Sequence, residues 1–125
     1  MNQILPCNEQ AVKRAQIFLC DTVPGDRTQD MAAMYAALGD PTRLRLLLAL
    51  SAGELCVGDL SLILGVSASA VSHQLRGLKA LRLVRPRRDG KMILYSLDDD
   101  HIFSLLKLGI EHASENEKST KPQSQ

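Results

Sequence analysis

Tryptophan is missing from this chain, and aromatic residues make up only 3% of its 125 positions. A core without large rings has to be assembled from Leu, Ile, Val, Ala and Met, which suits packed helices better than a β-sandwich. A charge excess of one sign is also lacking. The formal net charge is +1, so a surface for a polyanion has to come from local concentration of charge rather than from the total. No apolar run approaches the roughly 20 residues of a membrane span, and the start of the chain lacks the basic-then-apolar pattern of a signal peptide. A cytoplasmic protein with no membrane partner is expected. Cysteine is scarce, and Cys7, Cys20 and Cys56 form an odd set at irregular spacing. That argues against a disulfide framework and leaves thiols for metal, for redox work or for packing as small apolar groups. No nucleophile triad, no His-Glu-x-x-His helix and no glycine-rich phosphate loop occurs, so an enzyme, a zinc hydrolase included, is not expected.

Hydrophobic residues at 45% and charged residues at 23% match an ordinary folded chain, with length for one domain rather than two. Residues 1–27 read as an N-terminal arm outside the core, with one short helix from Asn8 to Leu19. Residues 28–115 read as the domain proper and 116–125 as a polar, disordered tail. After Thr28, Met31, Met34, Tyr35 and Leu38 recur at helical spacing. Asp40-Pro41 supplies an N-cap and a first-turn proline for a second helix through Arg43, Leu44, Leu47, Leu48 and Leu50, closed by Gly53 in the left-handed conformation. A third helix, Val57 to Leu64, offers Leu60, Ile63 and Leu64 to the core and stops at the turn Gly65-Val66-Ser67. The fourth, Ala68 to Leu81, turns Val71, Leu75, Leu78 and Leu81 inward and Ser69, Ser72, His73 and Arg76 outward. Two short helices around a tight glycine turn, the second with a polar face, make a helix-turn-helix. The period then shortens to that of strands, Leu83 to Arg88 and Lys91 to Leu97, around an Asp89-Gly90 hairpin turn. A last helix, Asp99 to about Glu115, carries Ile102, Leu105, Leu106, Gly109 and Ala113 in one stripe. The expected fold is mostly α with a β-hairpin wing, a winged helix-turn-helix.

Charge is segregated along the chain: Arg76, Lys79, Arg82, Arg85, Arg87, Arg88 and Lys91 crowd one stretch against the single acid Asp89. A helix that reads DNA presents short polar side chains to base edges while cations meet phosphates. Ser67, Ser69, Ser72, His73, Gln74, Arg76 and Lys79 fit the first element, and Arg85, Arg87, Arg88 and Lys91 place cations on the wing. Taken singly, each piece is equally a solvated face or an edge charged against aggregation. The ordered combination points to double-stranded DNA.

Asp99, His101, His112 and Glu115 bring zinc-type ligands to the last helix. His112 and Glu115, three positions apart, share one face. His101 and His112 share a face as well but lie about 16 Å apart along the axis, so one helix cannot wrap one ion with all four. If two copies pair antiparallel, Asp99 and His101 of one come level with His112 and Glu115 of the other, giving two symmetric sites across a homodimer. Two imidazoles and two carboxylates complete a closed tetrahedral shell suited to zinc or cobalt and to a structural or regulatory role. The plain alternative is a helix whose Asp99 is a cap and whose other three residues are solvated.

The stretches Leu38-Gly39-Asp40-Pro41-Thr42-Arg43-Leu44-Arg45, Glu54-Leu55-Cys56-Val57-Gly58-Asp59-Leu60 and Ser69-Ala70-Val71-Ser72-His73-Gln74-Leu75 resemble the signatures of the ArsR/SmtB family, over about Met31 to Glu115. The last-helix ligands resemble those of its cyanobacterial-type zinc sensors. The resemblance implies a homodimeric repressor that binds operator DNA without metal and releases it with metal. It also implies a second site on Cys56 and Asp59, joined by Cys7 or Cys20 from the other subunit's arm, where soft ligands extend the range to cadmium, lead or copper(I). This chain departs from that pattern at Gly58, Ala11 and Pro24, where the soft-metal sensors carry further ligands. A thiol redox-responsive repressor on Cys7, Cys20 and Cys56, and a metal buffer without a DNA role, are the competing readings.

Overall fold

Among the described residues, 4–23 and 25–120 of a computed structural model with side chains through Glu115, helices and one hairpin alternate as the periodicity predicts. The chain divides into two units, Met1–Tyr35 and Ala36–Gln125. In the first, helix α1 (Glu9–Thr22) is capped by Asn8, whose side chain accepts the Ala11 N–H at 3.0 Å. It buries none of its residues and runs three residues beyond the predicted Leu19 because nothing before Pro24 breaks it. Helix α2 (Thr28–Leu38) starts at the predicted residue and ends within the second unit, where Ala37 is buried.

The second unit is built on leucine. Asp40 caps helix α3 (Pro41–Leu50) by accepting the Arg43 N–H at 3.0 Å, with Pro41 in the first turn. Helix α4 (Val57–Leu64) ends at Gly65, left-handed at φ +69°, and helix α5 (Ala68–Ala80) begins on the Ser67 hydroxyl, which accepts the Ala70 N–H at 3.1 Å. Leu46, Leu47 and Leu50 of α3, Leu60 and Leu64 of α4 and Val71, Leu75 and Leu78 of α5 are buried together with Leu83, Val84, Ile102 and Leu106. Each such side chain contributes roughly 1.5–3 kcal/mol by leaving water. Strands β1 (Val84–Asp89) and β2 (Met92–Leu97) pair antiparallel, Val84 opposite Leu97 and Asp89 opposite Met92. Helix α6 (Asp100–Thr120) closes the chain.

Four local expectations are corrected. The hairpin turn is Gly90-Lys91, one residue later than Asp89-Gly90, with Gly90 at φ +65° in the first central position, where a type II′ turn needs it. Helix α3 winds down through short backbone bonds from Ser51, Ala52 and Gly53 to Leu48, Ala49 and Leu50, and Gly53 stands at φ +153° instead of closing a left-handed cap. Ile63 and Leu81 are exposed instead of joining the core, Leu81 because it is the last residue before the chain reverses. Helix α6 passes Glu115 and continues to Thr120, there being no glycine or proline to stop it before Pro122, so part of the expected tail is helical; 121–125 lie outside the described residues.

The reversal after α5 is a Schellman turn: the Leu83 N–H bonds to Leu78 O and the Arg82 N–H to Lys79 O, with Arg82 at φ +59°. A side chain in that region costs roughly 1–2 kcal/mol that glycine avoids. Arg82→Gly is therefore expected to stabilise the protein by roughly 0.5–1 kcal/mol after glycine's greater freedom in the unfolded chain is subtracted. Urea unfolding at fixed protein concentration, with an unchanged slope, measures it; a loss of stability would show that the arginine side chain makes compensating contacts.

Candidate functional site

The buried stripe Val71, Leu75 and Leu78 fixes which side of α5 faces water. Ser69, His73, Arg76 and Lys79 are exposed, and Ser72 and Gln74 are half-buried beside them. Ser67 acts chiefly as the cap of this helix, its hydroxyl also lying 3.4 Å from that of Ser69. The two helices, the Gly65 turn and the outward polar row stand in the order predicted.

The wing is braced by two ties that no local pattern announces. Leu55 and Tyr95 exchange both backbone hydrogen bonds, at 3.1 and 2.8 Å, which adds a one-residue bridge to the free edge of β2. Beside that bridge the Arg87 guanidinium grips the Glu54 carboxylate with two bonds, Nε to Oε2 at 2.9 Å and Nη2 to Oε1 at 2.7 Å. Of the predicted wing cations, Arg87 is thus committed to the protein, and Arg85, on the same face two residues away, adds its field to Glu54. Arg88 and Lys91 are the exposed cations nearest the tip. The Glu54–Arg87 pair spans 33 positions, and neither residue stands in a pattern that announces the other.

The last-helix ligands divide into two pairs. Asp99 Oδ1 accepts the N–H groups of His101 (2.9 Å) and Ile102 (3.2 Å), so Asp99 does cap the helix start. Its Oδ2 lies 3.4 Å from His101 Nδ1, whose side chain is 94% exposed. Partial desolvation raises the Asp99 pKa, but the bonds from the Ile102 N–H, the His101 ring and the His101 N–H outweigh it and hold the carboxyl below its ordinary value. An ionised carboxylate and an imidazole thus stand side by side facing solvent, a donor set that fits zinc. His112 and Glu115 are exposed on the same unbroken helix. Among the described residues of one chain, no three His, Cys, Asp or Glu gather closely enough to hold an ion.

Cys56 is half-buried at the start of α4, and its N–H donates to Asp59 Oδ2 at 3.1 Å, so a thiol and a carboxylate adjoin there. Cys7 and Cys20 are free and exposed at opposite ends of α1, about 20 Å apart by the rise of the helix. They cannot bind one ion together or form a disulfide with each other while α1 is intact.

A helical core carrying a helix-turn-helix and a basic hairpin defines a winged-helix DNA-binding regulator. The signature of bacterial regulatory proteins of the arsR family matches residues 40–85. The transcriptional repressor SmtB homolog of Synechocystis is 49% identical over 92 residues, 74% of this chain and 70% of the relative. The cadmium resistance transcriptional regulatory protein CadC homolog of Staphylococcus aureus is 37% identical over 116 residues, 92% and 93% of the two chains. The homodimeric winged helix-turn-helix DNA-binding domain from Mycobacterium bovis superposes with a TM-score of 0.71 at 27% identity, covering 76% of this chain and 92% of its own. The chain belongs to the ArsR family, whose members regulate transcription and are not enzymes.

The hydrogen bonds from Arg87 lower the Glu54 pKa. A depressed carboxyl pKa contributes its stability above the ordinary glutamate range, and that contribution is lost as pH falls through the lowered value. Glu54→Gln is expected to lower the amide protection factors of the ladder residues Arg87 and Leu94 several-fold while leaving α5 unchanged, and lowering the pH of the parent protein should do the same once the intrinsic exchange rate at each pH is divided out. Equal protection of the wing in the variant would mean that the backbone bridge alone holds it.

Proposed function

We propose that the chain is a metal-responsive transcriptional repressor that grips double-stranded operator DNA as a metal-free homodimer in the cytoplasm and is released by zinc. The observation that carries this reading is the incomplete pairing on α6. Asp99 and His101 are presented together at its start, His112 and Glu115 follow along the same rigid helix, and among the described residues no third donor from the same chain closes either pair. Antiparallel α6 helices bring each pair level with its complement, and the exposed Phe103, Leu108 and Ile110 give that helix apolar surface to bury against a second copy. The homodimeric M. bovis domain and the repressor relatives support the same reading.

Bound zinc would take Asp99 and His101 of one protomer together with His112 and Glu115 of the other, a set of four donors that would tie the two helices to each other. Asp99 and His101 of one protomer then fix the position of His112 and Glu115 of the other, and with them the separation of the two α5 helices that enter successive major grooves. Release requires that the ligands bind metal better in the DNA-incompetent dimer than in the competent one; driving a population from 99:1 to 1:99 takes about 5.5 kcal/mol of such preference. The same donors take cobalt, and Cys56 with Asp59 and one arm cysteine extends the response to cadmium, lead or copper(I).

The test is fluorescence anisotropy of the reduced protein on an operator duplex at constant salt, titrated with zinc and then cadmium. Near-stoichiometric zinc is expected to release the DNA and a chelator to restore the complex. Asp99→Asn keeps a side chain able to cap α6 but removes the anionic donor, so it and His112→Gln should bind DNA normally and need at least tenfold more zinc. Undiminished zinc release from His112→Gln would sink the α6 site, and release by cadmium alone would transfer control to Cys56.

A further inference from the structure

A second feature opens on the same surface as the polar face of α5. Between the first turn of α3 and α5 lies an open cleft of about 490 Å³, lined by Arg43, His73, Gln74, Arg76, Gly77 and Leu81. Two permanent cations from different helices and one imidazole meet there. Arg43 is incompletely partnered: Asp40 Oδ2, which accepts the Arg43 backbone N–H at 3.0 Å, lies 3.6 Å from Nε, too far for a hydrogen bond. That Nε is buried and offers nothing to a ligand, but the side chain as a whole is 36% exposed and lines the cleft, so its terminal Nη groups are the donors left to meet one.

Gly77 points the same way independently. Glycine is, after proline, the poorest helix former, yet it stands inside α5, and a Cβ at this position would meet nothing within 4 Å. The packing of the protein on itself does not require it. A residue without a side chain in the wall of a cationic cleft leaves the backbone open to close approach by a ligand.

We propose that Arg43, Arg76 and the bare backbone at Gly77 seat one phosphate of the operator's sugar–phosphate backbone against the flank of α5. Arg43 is on α3, outside both the helix-turn-helix and the wing, and its fork suits a phosphate through two parallel bonds. A contact of this kind positions the helix in its groove and carries no base information. The proposal rests on the DNA-binding reading, and its test separates the two.

The affinity of the full-length protein for an operator duplex and for an unrelated duplex is measured by anisotropy across a series of salt concentrations. Arg43→Gln is expected to flatten the plot of log K against log salt by about 1.8, roughly 0.9 for the phosphate lost by each protomer of the dimer, with the ratio of specific to non-specific affinity unchanged, while Arg43→Lys retains the slope. Gly77→Ala is expected to raise the melting temperature and yet weaken both duplexes several-fold. An unchanged slope in a folded Arg43→Gln protein overturns the proposal. Should that variant fail to fold, phenylglyoxal labelling of the parent protein read by mass spectrometry decides: protection of Arg43 by duplex supports the seat, and equal labelling with and without duplex overturns it. Protection by inorganic phosphate but not by duplex would make the cleft a small-anion pocket and overturn the proposal alone, whereas a parent protein that binds no duplex overturns the DNA-binding reading and this proposal with it.

Discussion

Everything this protein offers to a partner depends on the leucine packing that locks α5 against α3 and α4. Leu46, Leu47, Leu60 and Leu75 are wholly or almost wholly buried, and interiors of this kind are packed as densely as organic crystals, so a helix seated in one cannot rotate without opening voids. The polar row from Ser69 to Lys79 is therefore aimed, not merely exposed. Removing one of these leucines typically costs 2–5 kcal/mol, a large share of the 5–15 kcal/mol that holds a small domain together, so a change that loosens the aim also threatens the fold.

Much of this was legible because it is local. Apolar residues at helical spacing, Asp40 before Pro41 and a glycine between two short helices each carry their meaning within a few positions. The errors arose where local chemistry permits two answers: a two-residue turn accepts glycine at either central position, so Asp89-Gly90 and Gly90-Lys91 fit the sequence equally, and strand pairing decides between them. The long-range ties were not legible at all. Glu54 and Arg87 look like any surface acid and any basic wing residue until the Leu55–Tyr95 bridge brings their backbones together. Arg43 read only as part of a helix start, and no periodicity announces that it shares a cleft with Arg76.

The candidate metal ligands show the same division. Their residue types and spacing were readable, as was the fact that a stiff helix keeps His101 and His112 about three turns apart. Asp99 caps the helix start through Oδ1 alone, and its Oδ2 turns toward His101, so capping leaves one oxygen unspent. One carboxylate can orient a helix start and present a donor because its two oxygens point in different directions.

The hairpin is fastened near its base and middle, by the buried Val84, the Leu55 bridge to Tyr95 and the Glu54 grip on Arg87. Beyond Arg87 it projects as a cantilever, with Arg88, Gly90 and Lys91 toward its free end. A cantilever can be lengthened, shortened or recharged at the tip without disturbing its mounting, and the mounting here is shared with the start of α4. Descendants of this sequence are thus free to alter how far the wing reaches along a duplex while the angle at which α5 meets the groove stays as it is.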